Sequence, residues 1–235
     1  MKVILLFCFL AILSFLGCKT NSTSIEDTLI EKCISAHGGI DNWTSLTNTI
    51  YRKDITLFDK EGKIEKIISQ KHRYSKNPDL SGTIEWADSI NRKITYSGES
   101  AFKTNGTKKE NSSQAALNTF NSAYYVLNMP WKLLDESAEI SYLGLDTILN
   151  IKVVHTLRII YPSEDQKDVW EYYLDEKNYS LVANMVHHGS TYSLITNDEF
   201  VSYKDLKFNS KRTSYMVDSL GDVLYLRAKY EYVFE

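Results

Sequence analysis

The chain predicts a mainly β fold, one curved antiparallel sheet of about nine to eleven strands that holds two helices on its concave side. Three observations predict it. After residue 48 apolar residues recur with a period of two almost to the C-terminus. Only two stretches, 25–36 and 113–128, carry the longer helical period instead, and turn-forming clusters separate the alternating runs. No repeat, low-complexity tract or internal linker divides the chain, so residues 25–235 read as a single domain.

The N-terminus is read first, because a targeting segment takes no part in the fold. Lys2 precedes VILLFCFLAILSFLG, an uncharged run too short for a bilayer span of roughly 20 residues. It reads as a signal-peptide core covering residues 1–17. Its end, Phe15-Leu16-Gly17-Cys18, resembles a lipobox, which implies cleavage before Cys18 and lipidation of that cysteine; the alternative is ordinary secretion with Cys18 unmodified. Residues 18–24 then form a polar, flexible tether. Of the three cysteines, Cys8 leaves with the leader and Cys18 is the anchor, so Cys33 has no partner unless it pairs with Cys18.

Ser24 followed by Ile25-Glu26-Asp27 is a capping box at a helix start, and Ile25, Leu29, Cys33 and Ala36 recur at helical spacing. The pattern stops at His37-Gly38-Gly39. Gly38 suits the left-handed position just past a helix. His37 suits the negative end of the helix dipole, where its replacement by Ala is expected to cost little. An esterase oxyanion loop also reads His-Gly-Gly, but it requires a G-x-S-x-G elbow between a strand and a helix. The nearest run, Gly98-Glu99-Ser100-Ala101-Phe102, lacks the final glycine. The helix-stop reading is therefore preferred.

In the first strand Tyr51, Lys53, Ile55 and Leu57 share one face, and Ile64, Ile68, His72 and Tyr74 continue it in the next. Ile90, Ile94 and Tyr96 follow, then a polar loop around Lys108-Lys109. Residues 113–128 give an amphipathic helix on Ala116, Phe120, Ala123, Tyr124 and Leu127, ended by Pro130. Ile151, Val153, His155, Leu157, Ile159 and Tyr161 form another inward set. The last strand points Leu224, Leu226, Ala228, Tyr230, Tyr232 and Phe234 one way, and the meander is expected to have one buried and one wet face.

The net charge of −3 with dispersed basic residues marks no nucleic-acid surface. His187 and His188 are adjacent on a strand and point to opposite faces, so they cannot share a metal. His72 and His155, on inward faces, read as hydrogen-bonded core histidines. Paired acids such as Asp135-Glu136 and Asp198-Glu199 fall at predicted turns. No cofactor or metal site and no catalytic residue is expected. Trp131, Trp170, Tyr230, Tyr232 and Phe234 are the candidate lining of a ligand cavity, although for the tryptophans, Trp86 included, core filling is the default reading in a wide sheet.

Three blocks carry a resemblance: Ala36-His37-Gly38-Gly39 with Asp41-Asn42-Trp43, Asn128-Met129-Pro130-Trp131-Lys132-Leu133-Leu134-Asp135, and Asp168-Val169-Trp170-Glu171-Tyr172-Tyr173-Leu174-Asp175. Together they resemble a family of Bacteroidetes envelope lipoproteins whose fold looks like that of the lipoprotein carriers LolA and LolB. The resemblance implies a mainly β, LolA-like incomplete antiparallel barrel with two or three helices on its concave side. It further implies a non-enzymatic protein, its partners being the membrane, through lipidated Cys18, and a lipid or acyl chain. Lys19 rather than Asp after Cys18, with no acidic run following, points to the periplasmic side of the outer membrane. An interaction subunit with a filled barrel, or a hydrolase using cavity histidines and carboxylates, stays open as an alternative.

Acyl chains contribute about 0.8 kcal/mol per buried CH₂, and two or more of them give stable attachment. Cys18→Ala is therefore expected to move the protein from the membrane to the soluble fraction, or to stall its processing, when fractions are blotted. Unchanged membrane association would contradict the anchor.

Overall fold

The computed structural model describes residues 24–235 except 89, 150–151 and 163–167. The leader, Cys18 and most of the tether lie outside the described residues. Thirteen antiparallel strands form one sheet in the order β6-β5-β4-β3-β2-β1-β13-β12-β11-β10-β9-β8-β7. The chain builds this as two meanders. The first runs through β1 (Asn48–Phe58), β2 (Ile64–Ser75), β3 (Ser81–Trp86), β4 (Arg92–Ser97), β5 (Ser100–Asn105) and β6 (Lys108–Ser112). The second runs through β7 (Glu139–Ile148), β8 (Lys152–Ile160), β9 (Val169–Asp175), β10 (Leu181–His188), β11 (Thr191–Tyr203), β12 (Leu206–Val217) and β13 (Val223–Phe234). They are joined where β13 pairs with β1, placing Tyr232 opposite Lys53 and Tyr230 opposite Ile55. The end strands β6 and β7 do not pair, so the barrel stays open along one side.

The helices occupy the concave side. Helix α1 (Ile25–Ala36) starts at the expected capping box, with Asp27 N–H donating to Ser24 Oγ at 3.0 Å. Helix α2 (Gly39–Ser45) follows immediately. Helix α3 (Gln114–Asn128), capped by Ser113, and a 3-10 turn (Trp131–Leu134) carry the chain across the open side from β6 to β7. Two main clusters fill the space beneath. Phe120, Tyr51, Tyr74 and Trp131 belong to the one under α3, and Leu29, Cys33, Leu157 and Tyr172 to the one under α1. Ile30 packs against both. Cys33 is fully buried in the second cluster, and burial raises its thiol pKa far above the ordinary range. A disulfide to Cys18 would require that cysteine to leave its cluster.

Several expectations from the sequence need correction. The polar stretch around Lys108-Lys109 is the β5–β6 hairpin, with Asn105 opposite Lys108. Ile90 lies in the β3–β4 turn and is 56% exposed, while Val153 and Leu224 point to solvent. The convex face is not uniformly wet, because Val154, Tyr173, Val182, Leu194 and Val217 form a third cluster there. Gly98 and Glu99, φ +52° and +68°, make the tight β4–β5 turn. Both central residues of a type I′ hairpin turn have positive φ, so this run is no nucleophile elbow.

The His-Gly-Gly stretch joins helix to sheet. Gly38 has φ +104°, and a Cβ there would lie 2.3 Å from the Asp205 carbonyl oxygen. His37 is 2% exposed. Its Nε2 accepts from Leu181 N–H at 3.1 Å, which leaves the proton on Nδ1 to be donated to the Lys207 carbonyl at 2.9 Å. Its own carbonyl accepts from Lys207 N–H at 3.0 Å. The expectation that His37 is dispensable is therefore wrong, since one side chain holds α1 to β10 and β12.

Two substitutions test this joint by thermal and urea unfolding. His37→Ala should cost about 1–3 kcal/mol for each backbone group it orphans. Gly38→Val should cost about 1–3 kcal/mol from φ alone, and more because the Asp205 carbonyl must move. A His37→Ala protein as stable as wild type would remove the joint from the account.

Candidate functional site

The concave face is the candidate site, because it is the one surface that the helices cover without the sheet closing around it. The five aromatic residues singled out from the sequence lie in or beside its core, though not around one open space. Trp131 stacks on Trp43 at 4.4 Å, with an interplanar angle of 7°, and donates from Nε1 to the Gly39 carbonyl. That contact ties the 3-10 turn to α2. Phe234 stacks on Phe208 at 4.8 Å, and Tyr232, 6% exposed, lies 5.9 Å from Tyr51. Tyr230, one register step along β13, is half-buried. Trp170 belongs to the other half of the interior, 4.8 Å from Tyr125 of α3.

Helix α3 seals this face by stacking and by a hydroxyl pair. Phe120 lies flat on Tyr96 at 4.3 Å and tilts against Tyr74 at 5.4 Å. Tyr125 shares a hydrogen bond of 2.6 Å with Tyr172 of β9. The space left beneath, bounded by Val126 and Leu127 above and by Tyr51, Tyr232 and Phe234 below, measures about 20 Å³. That volume holds about one water, whereas small-molecule sites run to about 300–1,000 Å³. The interior is closed in this state.

A polar seam runs through the middle of the aromatic face. Gln70 and Tyr74 flank His72, whose ring nitrogens lie 3.1 Å from Gln70 Oε1 and 3.0 Å from Tyr74 Oη, with Tyr51 stacked on the ring at 4.7 Å. Three strands along the sheet Arg212, 4% exposed, donates to Asn197 Oδ1 and to Asn184 Oδ1, both at 2.8 Å. Lys53 is half-buried between them, 5.2 Å and 5.8 Å from the Tyr230 and Tyr232 ring centres. Among the described residues neither Lys53 nor Arg212 is ion-paired with a carboxylate. Lys53 was legible as an inward-facing residue. Asn184 and Arg212 gave no such signal, because a bulge in β10 and the polar run Asn209-Ser210-Lys211-Arg212 hide the alternation.

The other histidines are dispersed. His155, half-buried, stacks on Tyr179 and is hydrogen-bonded to Tyr142 Oη at 3.0 Å. His188 pairs with Asp168 at 2.6 Å, and His187 faces away onto Tyr192. Outside the sheet, a cleft of about 820 Å³ opens between α1, the 3-10 turn and β7. Its floor includes Ile30, Ile34, Leu133 and Ile140, and its rim carries Glu31, Asp41, Asp135 and Glu136. No helix among the described residues is long and apolar enough to cross a membrane.

The fold is LolA-like. A LolA superfamily protein from Nitrosomonas europaea superposes with a TM-score of 0.58 at 7% identity, over 88% of this chain and 91% of that one. A candidate outer membrane lipoprotein-sorting protein domain from Vibrio parahaemolyticus gives 0.56 at 9% identity over the same shares. A DUF1329 family protein from Desulfovibrio piger gives 0.56 at 6%, again over 88% and 91%. No protein-family model and no curated protein matches the chain. Identities this low establish shared architecture and nothing about shared residues.

The buried histidines generate a pH prediction. Burial draws the pKa of His37 down to about 4 and that of His72 to about 3 from an ordinary 6.5. Above pH 6.5 both folded and unfolded chains carry neutral imidazoles. Below it the unfolded chain takes up protons that the folded one refuses, so stability falls as pH falls from 6.5 towards 4. The urea midpoint should be level above neutrality and decline through that window. His37→Gln should show a shallower decline than wild type, and an unchanged slope would contradict the assignment.

Proposed function

We propose that the protein is a non-enzymatic envelope lipoprotein, anchored through Cys18 on the periplasmic side of the outer membrane. Its domain binds a hydrophobic ligand, such as an acyl chain or another lipid, between the concave face and α3. The observation that carries this reading is the unclosed sheet, whose aromatic inner face is covered in large part by α3, the helix of the crossover from β6 to β7. A small closed barrel fills itself with side chains, whereas a wider sheet encloses ligand space. Here the sheet is wide and the filling comes largely from α3, an element that can be displaced without breaking a strand pair. Two structural neighbours, a LolA superfamily protein and an outer membrane lipoprotein-sorting protein domain, support the same compartment and ligand class.

The closed interior also gives weight to a second reading, in which the barrel stays filled and the protein acts as an interaction subunit. The outer cleft favours that reading. An apolar floor with a carboxylate rim suits a basic, amphipathic segment of a partner protein.

Native mass spectrometry of the full chain carrying Cys18→Ala, purified from the periplasm, separates the two. The expected result is a co-purifying lipid mass and, after delipidation, saturable binding of a hydrophobic dye that fatty acid displaces. A bare protein mass together with no competable binding would leave the interaction subunit as the better account.

A further inference from the structure

Buried cations are normally paired, because a charge taken out of water without a counter-charge or full hydrogen bonding is costly. The concave face carries two that no described carboxylate pairs. Arg212 uses Nε and Nη2 on two asparagine side-chain oxygens, and Lys53 reaches the same region from across β13, its ammonium near the Tyr230 and Tyr232 rings and the His72 imidazole. The Arg212 guanidinium adds to burial in drawing the Lys53 pKa down, as one cation near another does. Asn184 adds a third donor. It is 1% exposed, its Oδ1 must face the guanidinium, and its Nδ2 has no partner among the described residues. Tyr230 and Tyr232 supply hydroxyl groups on the same face.

We propose that Lys53, Arg212 and Asn184 form the seat for an anionic headgroup, a carboxylate or phosphate monoester, of an amphiphile whose chain enters beneath α3. This rests on the ligand-binding reading above and narrows it to lipids carrying a compact negative charge. The distribution of donors supports it. Asn184 Nδ2 and the Lys53 ammonium are donors, and an acceptor-only group satisfies both at once. The one unpaired acceptor beside them among the described residues, Asn209 Oδ1, borders the small space under α3 where the chain would enter. The aromatic and aliphatic surface beside it, Tyr51, Val126, Leu127 and Phe234, suits a hydrocarbon chain once α3 lifts. Lys53 keeps partial exposure while Arg212 is sealed, so a headgroup arriving from solvent meets Lys53 first.

The test uses the full chain carrying Cys18→Ala, delipidated, and measures binding of oleate, oleyl phosphate and oleyl alcohol, with acetate and inorganic phosphate as chainless controls. Oleate or oleyl phosphate should bind at least tenfold more tightly than the alcohol, and the chainless anions should bind weakly. Lys53→Met should remove most of that preference while leaving the alcohol unchanged, and Lys53→Arg should restore it. Lys53 is the informative position because Arg212 also braces Asn197 and Asn184, so its loss confounds binding with folding. Equal binding of all three oleyl compounds would overturn the headgroup seat and leave hydrophobic-ligand binding standing. Chainless phosphate binding as tightly as oleyl phosphate would overturn the amphiphile. Binding of none of the five would overturn both readings.

Discussion

The joint at His37 and Gly38 is the contact on which the rest of the arrangement depends. A helix lying across an open sheet has no covalent reason to stay there, and the strands of a wide meander have no reason to curl without something to wrap. His37 addresses both. One neutral imidazole and one backbone carbonyl bind the starts of β10 and β12 to the end of α1, and Gly38 lets the Asp205 carbonyl come within a distance that any side chain would forbid. The tautomer is forced, since a protonated ring could not accept from Leu181. The same short stretch turns the chain into α2, which brings Trp43 onto Trp131 and so fixes the 3-10 turn that leads into β7. Helix α1, the 3-10 turn and the far edge of the sheet are thus positioned from one corner.

From that corner the two halves of the interior differ in how they are closed. Under α1, Leu29 and Cys33 pack against Leu174 and Leu181 in a cluster with few polar atoms beyond tyrosine hydroxyls. Under α3 the packing is aromatic, and it borders a seam of Lys53, Gln70, His72, Arg212 and Asn184. Stacked rings adapt to sliding and tilt better than interlocked aliphatic side chains, and the Tyr125–Tyr172 hydroxyl pair can be exchanged for bonds to water at small net cost. The α1 side therefore behaves as scaffold and the α3 side as cover.

How much of this was legible in the sequence follows from which forces are local. The capping box at Ser24, the 113–128 helix and the inward set of β1 were legible because periodicity and capping are properties of neighbouring residues. The β5–β6 hairpin was missed because an edge hairpin needs no apolar face, so its Lys and Asn residues read as loop. Ile90 and Leu224 were misassigned because a periodic run does not announce where its strand ends. The role of His37 was beyond reach, since its partners Leu181 and Lys207 are distant in the chain and only the fold brings them together. Trp131 and Tyr232 are buried and Trp170, Tyr230 and Phe234 pack against the two clusters, yet the space between those rings depends on α3, whose seating no local pattern encodes. Arg212 was invisible for a related reason. A bulge shifts the register beside it, and nothing in Asn209-Ser210-Lys211-Arg212 distinguishes an inward arginine from a solvated one.

The polar seam bears most directly on whether the filled interior is a final state. A core meant only to be packed gains nothing from an unpaired arginine and lysine, since well-fitted apolar residues in their place are generally as stable or more so. Holding Arg212 at 4% exposure takes two asparagines, one of which leaves its own amide unsatisfied, and an unsatisfied buried donor costs about 1–3 kcal/mol. Lys53 is drawn down to about 8 by burial and by the neighbouring guanidinium, yet remains cationic at neutral pH. These costs fall in the centre of the widest strands, on the face that α3 covers, and not at the scaffold corner where stability is set. A charge arrangement that is unfavourable with the cover down and becomes favourable when an anion arrives would lower the net cost of lifting the cover for that class of ligand. The closed interior and the unpaired cations are then two aspects of one device, a face kept shut by aromatic packing and opened selectively by negative charge.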